Sequence, residues 1–272
     1  MNIRICTMTQ DKPAHTLLES ARQDIDAIDD QLLALLAQRY DVTERVRHAK
    51  SGEMQPWPVP IRPAREAQII RRLVKNGRAD GLNPQLLVRL WRAIINQSSL
   101  NQSPITLHVS RHLKSNQSLR LKLQEHFSDM PVEEYRDEAQ ALMQINADPT
   151  GLCVVETEQP WAEAFLNGQA GAAKVIASLP VLAGESAMPS LLVLGQAPLA
   201  ETSEDETLII TSGRLPRDFQ LPPLWQGKSG ALRLTALPGF IGEHESPLAG
   251  LARSNPALGL RIAGQYSRPI SL

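Results

Sequence analysis

Leu18, Ala21, Ile25, Ile28, Leu32 and Leu35 recur at steps of three and four, and Val42 and Val46 continue the series. This spacing is a heptad seam on one long helix, predicted over about Leu17 to Lys50. At ~1.5 Å per residue the helix is roughly 50 Å long. A compact neighbourhood from one chain cannot bury so long a seam, so the helix forms either an extended rod or one half of a pair, and a homodimer is expected. The seam has one gap, Arg39, between Leu35 and Val42. A guanidinium on an apolar face is costly unless an anion meets it.

Helical phase says what else can join Arg39. Lys50 lies eleven residues on, about three turns, so the two share a face and sit about 16 Å apart along the axis. Arg22 lies seventeen residues before Arg39, about 100° off that face. One helix cannot aim all three at one point, but Arg22 of a second copy can complete a site holding Arg39 and Lys50. Each residue also has a plain structural reading. Arg22 and Lys50 can be solvated side chains, and Arg39 can pair with Asp41 or Glu44 at the edge of a core.

Residues 1–14 read as a loose leader, and Thr16 with Glu19 as a capping box that opens the helix. After Ser51-Gly52, residues 53–62 hold three prolines, a stiff extended connector. Pro63 suits the first position of a second helix, which carries Ile69, Ile70, Leu73 and Val74 and is expected to stop at Gly77. Asn83-Pro84 caps and starts a third. Its stripe of Leu87, Leu90, Trp91, Ile94 and Ile95 runs on into Ser98 and then Gln102. Polar groups thus again stand where apolar ones are expected, either closing the anion pocket or marking a fraying helix end. Arg65-Glu66 can add a cation and an acceptor, although Glu66 also simply suits a helix N-terminus.

From Pro104 the pattern changes. Strand-like runs at Ile105–Val109, Leu152–Val155, Lys174–Ala177, Leu191–Leu194, Thr207–Thr211 and Ala231–Leu234 alternate with helix-like runs at Leu119–Phe127, Glu138–Ile145 and Trp161–Leu166. That alternation predicts an α/β domain. The chain is therefore expected to be multidomain, with an N-terminal all-α three-helix domain over residues 1–103 and a C-terminal α/β domain over 104–272. Charge divides the same way. Residues 1–103 carry 15 Lys and Arg against 11 Asp and Glu, a net of +4, and the remainder nets −5. The total of −1 offers nothing for nucleic acid or a membrane surface, and a basic helical half suits small anions. Two cysteines make no disulfide framework and have no metal-ligand spacing. The N-terminus lacks the apolar core of a signal peptide, and no apolar run approaches the ~20 residues of a membrane span. The cytoplasm is the expected compartment, with no metal and no cofactor.

DIDAIDDQLLALLAQRYDVTERVRHAK, then RPAREAQIIRRL, then GLNPQLLVRLWRAIINQSS together resemble the all-helical (type II) chorismate mutase family over about Leu17–Gln102. The resemblance implies an intertwined helical dimer acting on chorismate. It implies that Arg22 is donated across the dimer to one substrate carboxylate and that Arg39 holds the other. Lys50 and Gln102 match the pair that hydrogen-bonds the ether oxygen of the breaking bond. Arg65 matches an arginine of the site, Glu66 the acceptor for the ring hydroxyl, and Ser98 a polar contact near a carboxylate. One position departs, because Arg62 stands where the family often has an aspartate near that hydroxyl. Isochorismate-pyruvate lyase, which shares the helical fold, and an amino-chorismate mutase are the nearest enzyme alternatives. A non-catalytic regulatory dimer that binds a metabolite is the alternative from another class.

The rearrangement of chorismate to prephenate is pericyclic and needs no nucleophile, which suits a site of cations and amides. Two arginines can clamp a dianion bidentately in a compact conformer. Lys50 and Gln102 meet the charge that grows on the ether oxygen. Gln102 is neutral, so acidic pH is not required. In the second domain, MPSLLVLGQAPLAETSEDETLIITSG and GLRIAGQYSRPI are similar in part to a prephenate dehydratase and to the Ser-Arg-Pro element of the sensing domain that follows it. Pro189-Ser190-Leu191 replaces the dehydratase Thr-Arg-Phe motif, and Tyr266 replaces the usual glutamate. A degenerate domain with a structural or regulatory role is expected.

Overall fold

The computed structural model describes residues 14–51, 60–184 and 187–271, and of Ala14, Lys50 and Ser51 the backbone alone. The leader over 1–13 and most of the proline connector lie outside the described residues. The chain divides into two compact units, residues 1–56 and residues 57–272.

The described part of the first unit is α1 (Ala14–Ser51), unbroken for 38 residues. Thr16 lies inside it and not at its cap, so the Thr16–Glu19 pair does not open the helix. The seam is exposed, with Ile28 at 55%, Leu32 at 53% and Leu35 at 60%. Arg39, in their line, is by contrast half-buried.

The second unit begins with α2 (Pro63–Ala79) and α3 (Pro84–Leu100). Pro63 sits in the first turn of α2 as expected. Gly77 does not end it. Gly77 is buried, and a Cβ there would strike the Leu87 side chain, so the glycine lets α2 and α3 approach closely. The stop comes at Gly81, with φ +76°. The Leu82 N–H donates to the Gly77 carbonyl (2.8 Å) and Gly81 N–H to that of Arg78 (3.1 Å), the left-handed closure that glycine permits. Asn83 caps α3 by accepting from the Gln85 N–H at 2.8 Å. Ile70, Val74, Val88 and Ile95 make a small core with Val181, Leu182 and Ile270 from the α/β layer.

That layer is one nine-stranded mixed sheet. Its strands are β1 (Leu107–Ser110), β2 (Val132–Tyr135), β3 (Leu152–Glu156), β4 (Lys174–Leu179), β6 (Leu191–Gly195), β7 (Asp205–Thr211), β8 (Trp225–Ser229), β9 (Leu232–Pro238) and β10 (Arg261–Ser267), in the order β2-β1-β3-β6-β4-β10-β7-β9-β8. A short parallel pair, β5 (Leu182–Ala183) with β11 (Ile270–Ser271), lies apart from it. The helices are α4 (Arg111–Ser115), α5 (Gln117–Phe127), α6 (Glu138–Ala147), α7 (Trp161–Leu166) and α8 (Leu248–Ser254). Alternation within the strands builds two cores. Cys153, Val155, Leu192 and Leu194 face α6 and α7, including Trp161, while Leu152, Val154, Leu191 and Val193 face α5. Each of the six expected strands is present in the sheet, with shifted ends. β2, β8, β10 and α8 were not anticipated.

α2 is also tied to the region around β10 and β11 through side chains. Arg71 pairs with Glu204 (2.7 Å) and donates to the Ser267 hydroxyl (2.9 Å) and the Arg268 carbonyl (2.8 Å). Arg78 donates to the Ser271 carbonyl at 2.6 Å. At the β10–β4 contact a Cβ on Gly264 would collide with the Val175 backbone. Gly264→Ala is therefore expected to destabilise the protein by about 1–3 kcal/mol, the usual scale of overpacking. Denaturant unfolding checks this, and an unchanged midpoint would refute the tight contact.

Candidate active site

The expected site residues fall on both units. On α1, Arg22 pairs with Glu19 one turn away at 2.6 Å, and its side chain is 69% exposed. An exposed pair of this kind is worth at most about 0.5 kcal/mol, so Arg22 is readily exchanged to another anion. Arg39 is held differently. Burial pushes its guanidinium below the ordinary arginine range, and its backbone carbonyl accepts from the Thr43 hydroxyl at 3.0 Å. The helix is continuous from Arg39 to Lys50, so the backbone phase on which their shared face depends is present. The Lys50 side chain lies outside the described residues.

In the second unit, Arg62, Arg65 and Glu66 stand at the start of α2. Glu66 reaches back to accept from the Arg62 N–H at 3.2 Å, satisfying a donor that the start of the helix leaves open. Its other oxygen, Oε2, accepts from Arg92 Nη1 at 2.9 Å. Those two side chains are only 14% and 8% exposed, so Glu66 is fixed by a buried ion pair. At the end of α3 the Ser98 hydroxyl donates to the Ile94 carbonyl (2.8 Å) and Gln102 Nε2 to the Ser98 carbonyl (2.9 Å). Gln102 lies two residues past the helix, so its amide satisfies a carbonyl the helix leaves open. The stretch is ordered helix up to Leu100 and not a fraying end.

The buried face of α3 matches its predicted stripe in part. Leu87 and Ile95 are buried as expected, joined by Val88, Arg92, Asn96 and Ser99, whereas Trp91, Ile94 and Ser98 are half-buried and Leu90 is exposed. Arg92 was missed in the sequence reading, yet it carries the same signal as Arg39. It stands four residues after Val88 and three before Ile95, a guanidinium inside an apolar stripe. Its neighbour His126 is pushed well below the usual imidazole range, first by burial and second by the Arg92 charge. Asn96 Nδ2 donates to the His126 carbonyl at 2.7 Å.

Residues 21–103 match the family Chorismate mutase type II. Every expected site residue from Arg22 to Gln102 lies inside that match. Over 107 residues the chain is 34% identical to the bifunctional chorismate mutase/prephenate dehydratase of Escherichia coli K12, and equally to those of Escherichia coli O157:H7 and Shigella flexneri. The aligned stretch is 39% of this chain and 25% of each relative, so the chain spans about a quarter of the length of the curated relatives it matches. Two solved structures are similar at 11% identity over 61% of this chain. One is GqqA, described as a novel type of quorum quenching acylases (96% of that chain, TM-score 0.39). The other is prephenate dehydratase from Streptococcus mutans (99% of that chain, TM-score 0.33). At these scores neither bears on the fold of this chain.

Among the described residues no helix is long and apolar enough to cross a membrane.

Proposed function

We propose that the chain is a chorismate mutase, an isomerase that rearranges chorismate to prephenate in aromatic amino acid biosynthesis in the cytoplasm. One observation carries this. A type II chorismate mutase match covers residues 21–103, the range that holds Arg22, Arg39, Lys50, Arg65, Glu66, Ser98 and Gln102. Residues 1–103 act as the mutase domain and 104–272 as a second, α/β domain. Arg39 and Arg22 of a second copy clamp the two carboxylates and hold the compact conformer. Arg65 adds positive charge, Ser98 contacts a carboxylate, and Glu66 accepts from the ring hydroxyl. Lys50 and Gln102 donate to the ether oxygen as the C–O bond breaks. Chorismate supplied to the purified protein should yield prephenate; absence of turnover sinks the mutase proposal and leaves the isochorismate or amino-chorismate reading and the regulatory dimer.

The exposed seam of α1 supports the homodimer. Burying each of its leucines and isoleucines contributes about 1.5–3 kcal/mol. Sedimentation should give twice the chain mass, and Ile28→Glu with Leu32→Glu should shift it to monomer with loss of activity, since Arg22 then has no second site to enter. A fully active monomer refutes the shared site.

Arg62 favours a second reading. A cation in place of the family aspartate alters how the ring hydroxyl region is met, so isochorismate or an amino-substituted chorismate can be the preferred substrate. Isochorismate tested beside chorismate, following pyruvate as well as prephenate, separates the two. For residues 104–272 the proposal is a degenerate dehydratase-like domain. Supporting it, Ser190 stands where the dehydratase motif has its cation and Pro189 where it has its hydroxyl. Prephenate is expected to give no phenylpyruvate, and its production at enzymatic rates would overturn the degenerate reading.

A further inference from the structure

Four polar side chains of the α/β layer touch one another in a row, on the face of the sheet that α6 covers. Glu133 and Tyr135 stand on the edge strand β2, His108 on β1 beside them, and Asp148 in the turn between α6 and β3. Tyr135 Oη lies 2.6 Å from Glu133 Oε2, His108 Nδ1 3.1 Å from Tyr135 Oη, and His108 Nε2 3.0 Å from Asp148 Oδ2. The imidazole is almost enclosed, with its side chain 5% exposed, whereas that of Glu133 is 62% exposed. Gly151 makes room for the row, because a Cβ there would strike both His108 Nε2 and Asp148 Oδ2. Asp148 is held from its other side, where Oδ1 accepts from the Thr150 hydroxyl (2.9 Å) and the Gly151 N–H (3.0 Å).

The number of protons follows from the contacts. Three polar contacts at hydrogen-bond distance need three shared protons, since facing lone pairs repel. Two carboxylates supply none, the phenol supplies one and a neutral imidazole one. The row is therefore one proton short unless it holds an extra one. A carboxyl ordinarily loses its proton about two units below an imidazole, so the extra proton belongs on the ring and not on the exposed Glu133. His108 then donates from Nδ1 to Tyr135 and from Nε2 to Asp148. The phenol keeps its own proton, because burial first and Glu133 second push it up to about 12. The other titratable groups on this face bring no competing cation. Cys153 lies opposite His108 on β3, with its thiol pushed up by burial, and Glu138 of α6 accepts from the Ser110 hydroxyl at 2.6 Å. We infer that Glu133, Tyr135, His108 and Asp148 form a proton-operated clasp on the edge strand: with the extra proton all three links close, and on its loss the Tyr135 hydroxyl turns to His108 Nδ1 and releases Glu133.

The test is a titration of the full chain from about pH 5 to pH 9, followed by the His108 ring nitrogens, the Tyr135 ring and the Glu133 carboxyl carbon in the NMR spectrum. At the acid end both His108 nitrogens should carry protons, and a single step should then move all three residues together. Glu133→Gln removes the carboxylate that the extra proton serves and should bring the His108 step about one pH unit lower. Tyr135→Phe, which takes away the acceptor at Nδ1, should lower it as well. Glu133 is mostly exposed, so its variant keeps the fold and decides if Tyr135→Phe does not. A His108 ring with one protonated nitrogen throughout overturns the inference, as does an unmoved step in folded Glu133→Gln. A Glu133 signal that titrates apart from His108 leaves an isolated histidine–aspartate pair and overturns the clasp. No chorismate is used, so this result and that of the mutase proposal are independent.

Discussion

Arg39→Ala is expected to lower kcat/KM for chorismate by a factor on the order of 10²–10³, the scale for losing one preorganised charge-stabilising donor. The far-UV signal should survive, because alanine is the best helix former and Arg39 lies mid-way along an uninterrupted α1. The guanidinium interrupts the apolar seam of α1 and is half-buried. Steady-state kinetics with prephenate detection checks the result. Near-full turnover in a folded variant removes Arg39 from the site and, with it, the carboxylate clamp.

The second large effect is on stability. Arg92→Met leaves the Glu66 carboxylate buried without its counter-charge, which costs about 3–5 kcal/mol. For a unit of this size that is roughly 2–4 °C of Tm per kcal/mol. Adding Glu66→Gln should recover a large part of the loss, because the stranded charge is then gone. If Arg92→Met alone unfolds at the parental temperature, the pair is not the buried contact described above. His126 gives an independent reading. Removing Arg92 takes away the smaller of its two depressing causes, so its imidazole should titrate somewhat higher while burial still holds it below the usual range.

The sequence was most informative where one physical rule acted alone. The heptad seam predicted α1, because steps of three and four admit no other regular structure at that length, and Asn83-Pro84 predicted the start of α3 through capping chemistry. Fully apolar runs such as Leu191–Leu194 showed as strands because both faces of their sheet are covered. β2 was illegible because it is an edge strand with Glu133 and Glu134 exposed, and such a strand carries no apolar alternation. Gly77 misled because a glycine late in a helix reads as a stop, whereas here it serves close packing against Leu87. For the proposed site, the eleven-residue spacing of Arg39 and Lys50 gave a common helical phase, and the backbone of α1 is continuous between them. The partner of Glu66 was missed because Arg92 lies 26 residues away on another helix, and no local pattern pairs them.

The ties that hold α2 have a consequence for how the protein is made. Arg71 closes onto Ser267 and Arg268 across 196 and 197 residues of chain, and Arg78 onto Ser271 across 193. A ribosome adding ~5–20 residues per second has released α1 and α2 long before those partners exist. During that interval Ile70 and Val74 lack β11, and the helix that carries Arg65 and Glu66 has no permanent seat. A nascent chain stalled before Ser267 would thus hold α2, with the proposed site residues Arg65 and Glu66, without the contacts that fix that helix.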